Sequence, residues 1–381
     1  MLALGPRFAK LCKPTKTLCS FAVTQRMTQR MLSPKEGTIT VSERDRQRTR
    51  LADLAAQSGV STATVSRVLN RKPGVAESTR QAVYHALDML GYERPNRPTS
   101  QSAGLVGLIV PELSNPVFPA FAQAIETALA HHDYTPLLCT QTASGVTEDE
   151  YVETLLAADV AGIVFVNGMH ADVQSPLTRY ERLTERGVPY VLVNGHRDDL
   201  TAPSVSVDER LAMDIAVRHL AAMGHSRIAL AVGPERLVPS AQKREGFVTA
   251  MKRYVGPTAE HRVLTSLFTV EGGEASARVL VREGVTAIVC GSDLMALGAI
   301  RAVKHAGLRV PEDVSIVGFD DSFFVGFTDP PLTTLRQPVV AMSQAVVDLL
   351  LSTMQGRSVR DELRFAPELI VRGSTAGMHP R

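Results

Sequence analysis

The chain has 381 residues, of which 44% are hydrophobic and 21% are charged, and this composition excludes a disordered chain while allowing a small domain and a larger one. No apolar run approaches the roughly 20 residues that a membrane-spanning helix needs, so we expect no membrane partner. The net charge of +2 conceals an asymmetry, because residues 1–43 and 44–97 each carry +5 and residues 98–381 carry −8. A basic N-terminal part of this kind suits binding to a polyanion such as nucleic acid. A solvated basic surface would have the same composition.

Residues 1–48 show no sustained periodicity and are predicted to be a disordered basic extension. Residues 1–35 contain no acidic side chain, which leaves two alternatives open, a transit-like presequence and a translation start at Met27 or Met31. The four cysteines show no metal-ligand spacing, so we expect free thiols in a reducing compartment, the cytoplasm, with neither a metal nor a cofactor.

Residues 49–97 contain three short helical patterns, which we predict at 51–58, 62–70 and 77–90. A tight turn is predicted between the first two, because Gly59 adopts a positive φ without strain and the Ser61 hydroxyl can cap the next helix. The third helix carries an apolar stripe that closes a miniature core, formed by Val83, Ala86, Leu87 and Leu90. This spacing is typical of a helix-turn-helix, and by itself it also fits any three-helix bundle.

The second predicted helix has an apolar face and a polar face. Val65, Val68 and Leu69 point inward. The outward residues are Thr62, Ala63, Ser66 and Arg67. Short side chains near the start of a helix, with an arginine one turn later, allow close entry into the major groove of DNA. Phosphate contacts, which fix register rather than sequence, are expected at Ser61, Thr64 and Asn70.

A linker is predicted at 98–103, and from Gly104 onward short apolar runs alternate with amphipathic stretches. The predicted strands are 104–110, 135–139, 161–166, 189–193, 204–207, 227–232, 263–266, 286–290, 314–319 and 332–336. Helical patterns lie between most of them, for example at 118–131, 148–157, 208–223, 240–254, 292–306 and 339–354. This alternation predicts an α/β domain at 104–375 with parallel sheets, whose ligand binds at the carboxyl ends of the strands.

The residue string at 51–96, LADLAAQSGVSTATVSRVLNRKPGVAESTRQAVYHALDMLGYERPN, resembles the DNA-binding headpiece of the LacI/GalR repressor family nearly position for position. The resemblance implies that Thr62 and Ala63 occupy the variable positions that choose the operator, and that Arg67 occupies a base-contacting position. The full set of DNA-contacting residues that it implies is Leu51, Ser61, Thr62, Ala63, Thr64, Ser66, Arg67 and Asn70.

Two features depart from that family's pattern. The segment 97–103 is shorter than the usual hinge helix and lacks the leucine that wedges into the minor groove, and Pro98 disfavours helix at Arg97. Ala76 lies where the family usually has a serine that caps the third helix.

The region from 104 to about 375 resembles the two-lobed, periplasmic-binding-protein-like core of the same family. The resembling segments are 106–118, 219–234, 243–247, 290–321 and 330–338. The resemblance implies three chain crossings between an N-lobe (about 104–202 and 338–355) and a C-lobe (about 203–337 and 365–375). It also implies an effector in the cleft, contacted by Phe118, Asp208, Lys243, Phe268, Ser292, Asp293 and Asp320.

Each effector candidate has a structural alternative. Phe118 and Phe268 also fit core positions, and Asp208 and Asp293 fit helix N-caps as well as ligand contacts. Lys243 fits a solvated surface charge. Two rings with an acid and a lysine suit a sugar or a ring-shaped metabolite, while Lys243 leaves an anionic ligand open.

The sequence contains no phosphate-binding loop, no nucleophile elbow and no paired metal-ligating histidines, so we expect no enzyme. An exported solute-binding protein would lack residues 51–97. We therefore predict a cytoplasmic transcriptional regulator, a repressor, that binds a double-stranded DNA operator as a homodimer and responds to a small-molecule effector.

Overall fold

The computed structural model describes residues 43–70, 72, 74–92, 103–141, 144–259, 262–357 and 362–378. The chain divides into two compact units, residues 1–96 and 97–381. The predicted extension up to residue 42, and the predicted linker up to residue 102, lie outside the described residues. None of the helices in the described ranges has the length and apolar character to cross a lipid bilayer.

The first unit contains three helices, α1 (Glu43–Ser58), α2 (Thr62–Leu69) and α3 (Glu77–Met89). Helix α1 begins well before the predicted start at Leu51, so the prediction of disorder is wrong for residues 43–48. Residues 43–48 read ERDRQR, in which three arginines, one glutamate and one glutamine favour helix without adding an apolar stripe. Periodicity therefore could not reveal this part of the helix.

The core of this unit is small and apolar. It is formed by the buried residues Leu54, Val65, Val68, Val83, Ala86 and Leu87. Leu90 was predicted in the same stripe but is 36% exposed, because α3 ends at Met89 and Leu90 is its C-cap. Ala76 is the N-cap of α3 and provides no side-chain hydrogen bond, as expected for alanine at this position.

The second unit has two lobes, each built on a six-stranded sheet. The N-lobe sheet has the order β11-β5-β4-β3-β1-β2, and all its strands are parallel. Its strands are β1 (Gly104–Val110), β2 (Tyr134–Thr140), β3 (Gly162–Val166), β4 (Tyr190–Val193), β5 (Ser204–Val207) and β11 (Glu362–Phe365). The helices of this lobe are α4 (Val117–Ala130), α5 (Glu148–Ala157), α6 (Thr178–Glu185) and α11 (Val339–Met354).

The C-lobe sheet has the order β12-β10-β9-β8-β6-β7 and is parallel except for the edge strand β12. Its strands are β6 (Ile228–Val232), β7 (Arg262–Thr265), β8 (Ala287–Cys290), β9 (Ser315–Asp320), β10 (Thr333–Arg336) and β12 (Glu368–Ile370). The helices that cover it are α7 (Glu209–Ala222), α8 (Val238–Tyr254), α9 (Val270–Arg282) and α10 (Asp293–His305).

The chain passes between the lobes three times, after β5, after β10 and between β11 and β12. The predicted lobe boundary near residue 202 is wrong, because β5 pairs with β4 and belongs to the N-lobe. Strand β11 pairs with β5, so residue 365 also lies in the N-lobe rather than at the start of the last C-lobe segment. The first error arises because an apolar run does not show which of two similar sheets a strand joins. The second arises because no strand was predicted at 362–365, where the sequence is ELRF.

Candidate DNA-binding helix and ligand cleft

The turn before α2 has the predicted geometry. Gly59 has a φ of +69°, and Ser61 is the N-cap of α2, with its Oγ accepting a hydrogen bond from the Thr64 backbone N–H at 3.1 Å. The hydroxyls of Ser61 and Thr64 also lie 2.9 Å apart. The start of α2 is therefore fixed by its own side chains, and Ser61 remains exposed to solvent.

Helix α2 has one buried face and one exposed face. Val65 and Val68 are fully buried against the core of this unit. Thr62, Ala63 and Arg67 are exposed. The outward orientation that the periodicity predicted for these three side chains is thus confirmed, and their contact with DNA remains a prediction.

The remaining predicted DNA contacts lie around this face. Ser66 is half-buried, and Asn70 closes the helix by donating from Nδ2 to the Ser66 carbonyl at 2.8 Å. Leu51 is half-buried against the core of the headpiece. The turn at Gly74 (φ +82°) passes close to Arg67, since a Cβ added at Gly74 would lie 3.1 Å from Nη2 of that arginine.

A polar contact braces α1 against the segment that follows α3. Tyr92 donates from its hydroxyl to Asp53 Oδ2 at 2.8 Å, and the Arg50 guanidinium lies 4.8 Å from the centre of the Tyr92 ring. The hydrogen bond to Asp53 raises the pKa of Tyr92, because the carboxylate favours the protonated phenol. This contact helps to fix the position of the helix that packs behind α2.

In the second unit, polar side chains gather at the carboxyl ends of the N-lobe strands. Asn167 and Asn194 follow β3 and β4 with φ values of +46° and +57°, and Asn194 donates from Nδ2 to Asn167 Oδ1 at 3.0 Å. His170 is fully buried beside them, with Nε2 2.6 Å from the Asn194 carbonyl oxygen. Burial lowers the pKa of His170 to about 4, so this imidazole is neutral.

Asp320 ends β9 on the C-lobe side and is buried, with only 8% of its surface exposed. Its φ of +116° is strained for a residue with a Cβ, and such strain is concentrated at functional sites. Burial, reinforced by the neighbouring Asp293 carboxylate, raises the pKa of Asp320 well above its ordinary value. Asp321, the next residue, forms ion pairs with Arg336 at 2.7 Å and Arg372 at 2.6 Å.

Lys243 is buried, so the alternative of a solvated surface charge is wrong. Its ammonium forms an ion pair with Glu209, and the two side chains are only 3% and 5% exposed. The ammonium also lies 3.7 Å from the centre of the Phe319 ring. Burial raises the pKa of Glu209, although the ammonium of Lys243 opposes the rise.

The remaining acidic candidates have structural partners. Asp293 is buried, and its Oδ1 accepts from Thr334 Oγ1 at 2.6 Å while its Oδ2 accepts from the Ser322 N–H at 2.7 Å. Burial raises the pKa of Asp293 to about 6. Ser292 caps α10, accepting from the Met295 N–H at 3.3 Å.

Asp208 caps α7, accepting from the Leu211 N–H at 2.9 Å, so the N-cap alternative is confirmed for it. The same alternative is wrong for Asp293, because α10 is capped by the preceding serine, and Asp293 is already the first residue of the helix. Its carboxylate instead joins the helix to the loop after β9 and to β10.

The two aromatic candidates pack into the lobes. Phe118 is half-buried against the N-lobe core. Phe268 lies against the backbone at the ends of β6 and β8, where a Cβ added at Gly233 or Gly291 would lie 2.0 Å or 3.0 Å from its ring. Both rings therefore have the structural role that was left open, and a second role at the cleft stays a prediction.

A direct contact joins the lobes across the cleft. Asp172, which follows β3, forms an ion pair with Arg236, which follows β6, with Oδ2 and Nε 2.6 Å apart. Beside it, the Val173 N–H donates to the Arg236 carbonyl at 2.9 Å, and Asp172 forms an antiparallel bridge with Leu237. The two lobes are thus held together at the carboxyl ends of their strands.

The sequence did not predict five of the residues that build this cleft, namely Asp172, Asn194, Glu209, Arg236 and Gln337. Gln337 belongs to the cleft because its Nε2 donates to Oδ1 of Asp320 at 2.7 Å. Within the described ranges, no group of histidine, cysteine and acidic side chains has the arrangement to hold a metal ion. The cleft instead offers carboxylates, amides and one ammonium, which suit hydrogen bonding to a polar organic ligand.

Comparison with known proteins agrees with both parts of this architecture. The family described as bacterial regulatory proteins, lacI family, matches residues 50–96, and the periplasmic binding protein-like domain matches residues 217–375. The HTH-type transcriptional regulator MalR of Streptomyces coelicolor is 57% identical over 333 residues, which cover 86% of this chain and 97% of that protein.

Two solved structures are also similar. The transcriptional regulator CelR in complex with cellobiose is 31% identical with a TM-score of 0.64, covering 85% of this chain and 99% of that one. The Lac repressor dimer bound to operator and the anti-inducer ONPF is 29% identical with a TM-score of 0.63, covering 86% of this chain and 98% of that one. The chain therefore belongs to the LacI family, and it is a DNA-binding transcriptional regulator rather than an enzyme.

Proposed function

We propose that this protein is a cytoplasmic repressor whose affinity for a specific operator is set by a small polar effector, a sugar or a related metabolite. The observation that carries the proposal is the open face of α2, where Thr62, Ala63 and Arg67 are exposed above a fully buried core. Arg67 is the only long donor side chain among them, so it supplies hydrogen-bonding base recognition, while Ala63 offers apolar contact to a thymine methyl.

The protein binds DNA as a homodimer in this proposal. One eight-residue helix reads too few base pairs to be specific, so two headpieces read the half-sites of a near-palindromic operator. The Lac repressor, which is similar to this chain, was solved as a dimer bound to operator.

The effector binds between the lobes of the second unit. Asp320 and Asn194 provide hydrogen-bonding groups there, Lys243 lies beside them in its ion pair with Glu209, and the similar regulator CelR was solved with cellobiose. An effector changes operator affinity only by the difference in its affinity for two lobe arrangements, typically about 1–3 kcal/mol.

A gel shift tests the proposed DNA binding. The full-length protein is titrated onto a fragment from upstream of its own gene, in about 150 mM salt and excess random competitor, because salt removes most nonspecific affinity. The proposal expects a shifted complex that the specific fragment competes away and random DNA does not. Equal competition by both DNAs would overturn it.

The complex of the protein with the operator fragment is also used to identify the effector. Neutral and charged sugars are added singly, and the expected result is a change in operator affinity with one of them that is accompanied by thermal stabilisation of the protein. Stabilisation without any change in operator affinity would contradict the proposed control by effector.

A further inference from the structure

The charge in the cleft is unevenly divided. Apart from the ion pair between Asp172 and Arg236, three carboxylates, those of Glu209, Asp293 and Asp320, are buried there with a single ammonium, that of Lys243. Asp320 experiences the charges of the other three groups. If only Lys243 were considered, the cleft would attract anions, but its carboxylates reverse that expectation.

The ammonium of Lys243 is already paired with the carboxylate of Glu209. The two form a buried ion pair, and the face of the Phe319 ring covers the same ammonium at 3.7 Å. A phosphate or carboxylate ligand that approached Lys243 would have to displace Glu209 and would leave that carboxylate buried without its partner. An unpaired buried charge is strongly unfavourable, so this exchange opposes binding of an anion.

We propose that Glu209 determines the ligand charge that the cleft accepts, so that it binds uncharged, hydroxyl-bearing ligands and rejects phosphorylated or acidic ones. The inference rests on the proposed function in taking this cleft as the effector site. Hydroxyl groups can form hydrogen bonds with the carboxyl of Asp320 without adding charge, whereas an anionic ligand is repelled by the carboxylate of Glu209, which already pairs with Lys243. Selectivity of this kind comes from the repulsive element as much as from the attractive ones.

The substitution Glu209→Gln tests this directly, because it keeps the size of the side chain and leaves the charge of Lys243 unpaired. Binding of inorganic phosphate and of glucose 6-phosphate is measured by calorimetry at constant ionic strength. We expect no saturable binding to the wild type and a gain of at least about tenfold in phosphate affinity in E209Q.

Two further variants locate the effect. The double variant E209Q/K243M removes both charges and should lose the gain in phosphate binding. The matched control is Glu245→Gln, since Glu245 forms an exposed ion pair with Arg210 on the neighbouring helix and should bind phosphate no better than the wild type.

Saturable phosphate binding by the wild type with micromolar affinity, or the absence of a gain in folded E209Q, would overturn the proposal. If E209Q does not fold, the wild type alone decides the question, because tighter binding of any sugar phosphate than of its uncharged parent sugar contradicts the role of Glu209. Failure of operator binding in the gel shift would instead contradict the proposed function, and it would leave these phosphate measurements unaffected.

Discussion

Gln337 donates a hydrogen bond from Nε2 to Oδ1 of Asp320 at 2.7 Å, and this bond ties the end of a C-lobe strand to the segment that crosses into the N-lobe. Asp320 is held there in a strained conformation with a φ of +116°. A carboxylate fixed between a strand end and an interlobe crossing is well placed to transmit ligand contact into lobe movement.

We expect Asp320→Asn to abolish the effector response while operator affinity without effector stays within about twofold of the wild type. Asparagine tolerates a positive φ and can still accept the bond from Gln337, so the fold should be preserved while the carboxylate charge is lost. Titration of operator binding with and without effector measures the result. The matched control is Asp159→Asn, which changes an exposed aspartate whose φ is also positive, at +50°.

We expect that removal of the contact between Asp172 and Arg236 weakens the attachment between the two lobes. Asp172→Asn removes the charge that holds Arg236 at 2.6 Å, so we expect a larger radius of gyration in solution scattering and weaker effector binding, by roughly 3–10-fold. Glu235→Gln is the control, because it breaks an exposed ion pair with Arg244 on the C-lobe alone. Equal scattering curves for D172N and the wild type would contradict a role of this ion pair in closing the cleft.

The buried His170 predicts a loss of stability in acid. Its pKa is lowered to about 4, so between pH 6.5 and 4 the unfolded chain takes up a proton that the folded chain does not, and acidification therefore favours unfolding. Over this interval His170 lowers the free energy of unfolding by an amount on the order of 3 kcal/mol. In His170→Gln this term is absent, so the stability advantage of the wild type over the variant should shrink by that amount from pH 7 to pH 4.

Urea unfolding at a series of pH values measures that difference. Because the carboxyls of Asp293 and Asp320 have raised pKa values, they oppose the histidine by reducing stability as pH rises, and only the difference between the two proteins isolates His170. A difference that stays constant from pH 7 to pH 4 would contradict the neutral, buried imidazole.

The sequence predicted the parts of the fold that carry apolar periodicity. All ten predicted strands are present, and most of them are apolar runs, while β5 (SVSV) and β10 (TTLR) alternate or mix polar and apolar residues. The two unpredicted strands, β11 and β12, are short sheet edges, and β11 (Glu362–Phe365) mixes two charged residues with two apolar ones. An edge strand is paired on one side only and can therefore lack a continuous apolar run. The edge strands β2 and β7 keep the apolar pairs Leu137-Leu138 and Val263-Leu264, and they were predicted.

The cleft was predictable in part. Asp320 and Lys243 were found through resemblance, but Glu209 was not, since an acid in the first turn of a helix ordinarily remains in solvent near the helix dipole. Its burial follows from the packing of α7 against α8, which is a tertiary contact. One signal was available: a lysine expected inside a cleft requires a carboxylate partner, and Glu209 directly follows the predicted Asp208.

Arg67 is the residue on which the proposed operator recognition depends most. Arg67→Ala should weaken binding to the preferred operator by about 1–3 kcal/mol and relax the base preference at one position of each half-site. Affinity for random DNA should fall much less, because that affinity comes from phosphate contacts and an arginine that contacts bases contributes little to it. Arg218→Ala is the control, since Arg218 is an exposed arginine on α7 in the other unit and its replacement removes the same charge. An equal loss on operator and random DNA would show instead that Arg67 contacts only phosphates, and base selection would then fall to Thr62 and Ala63.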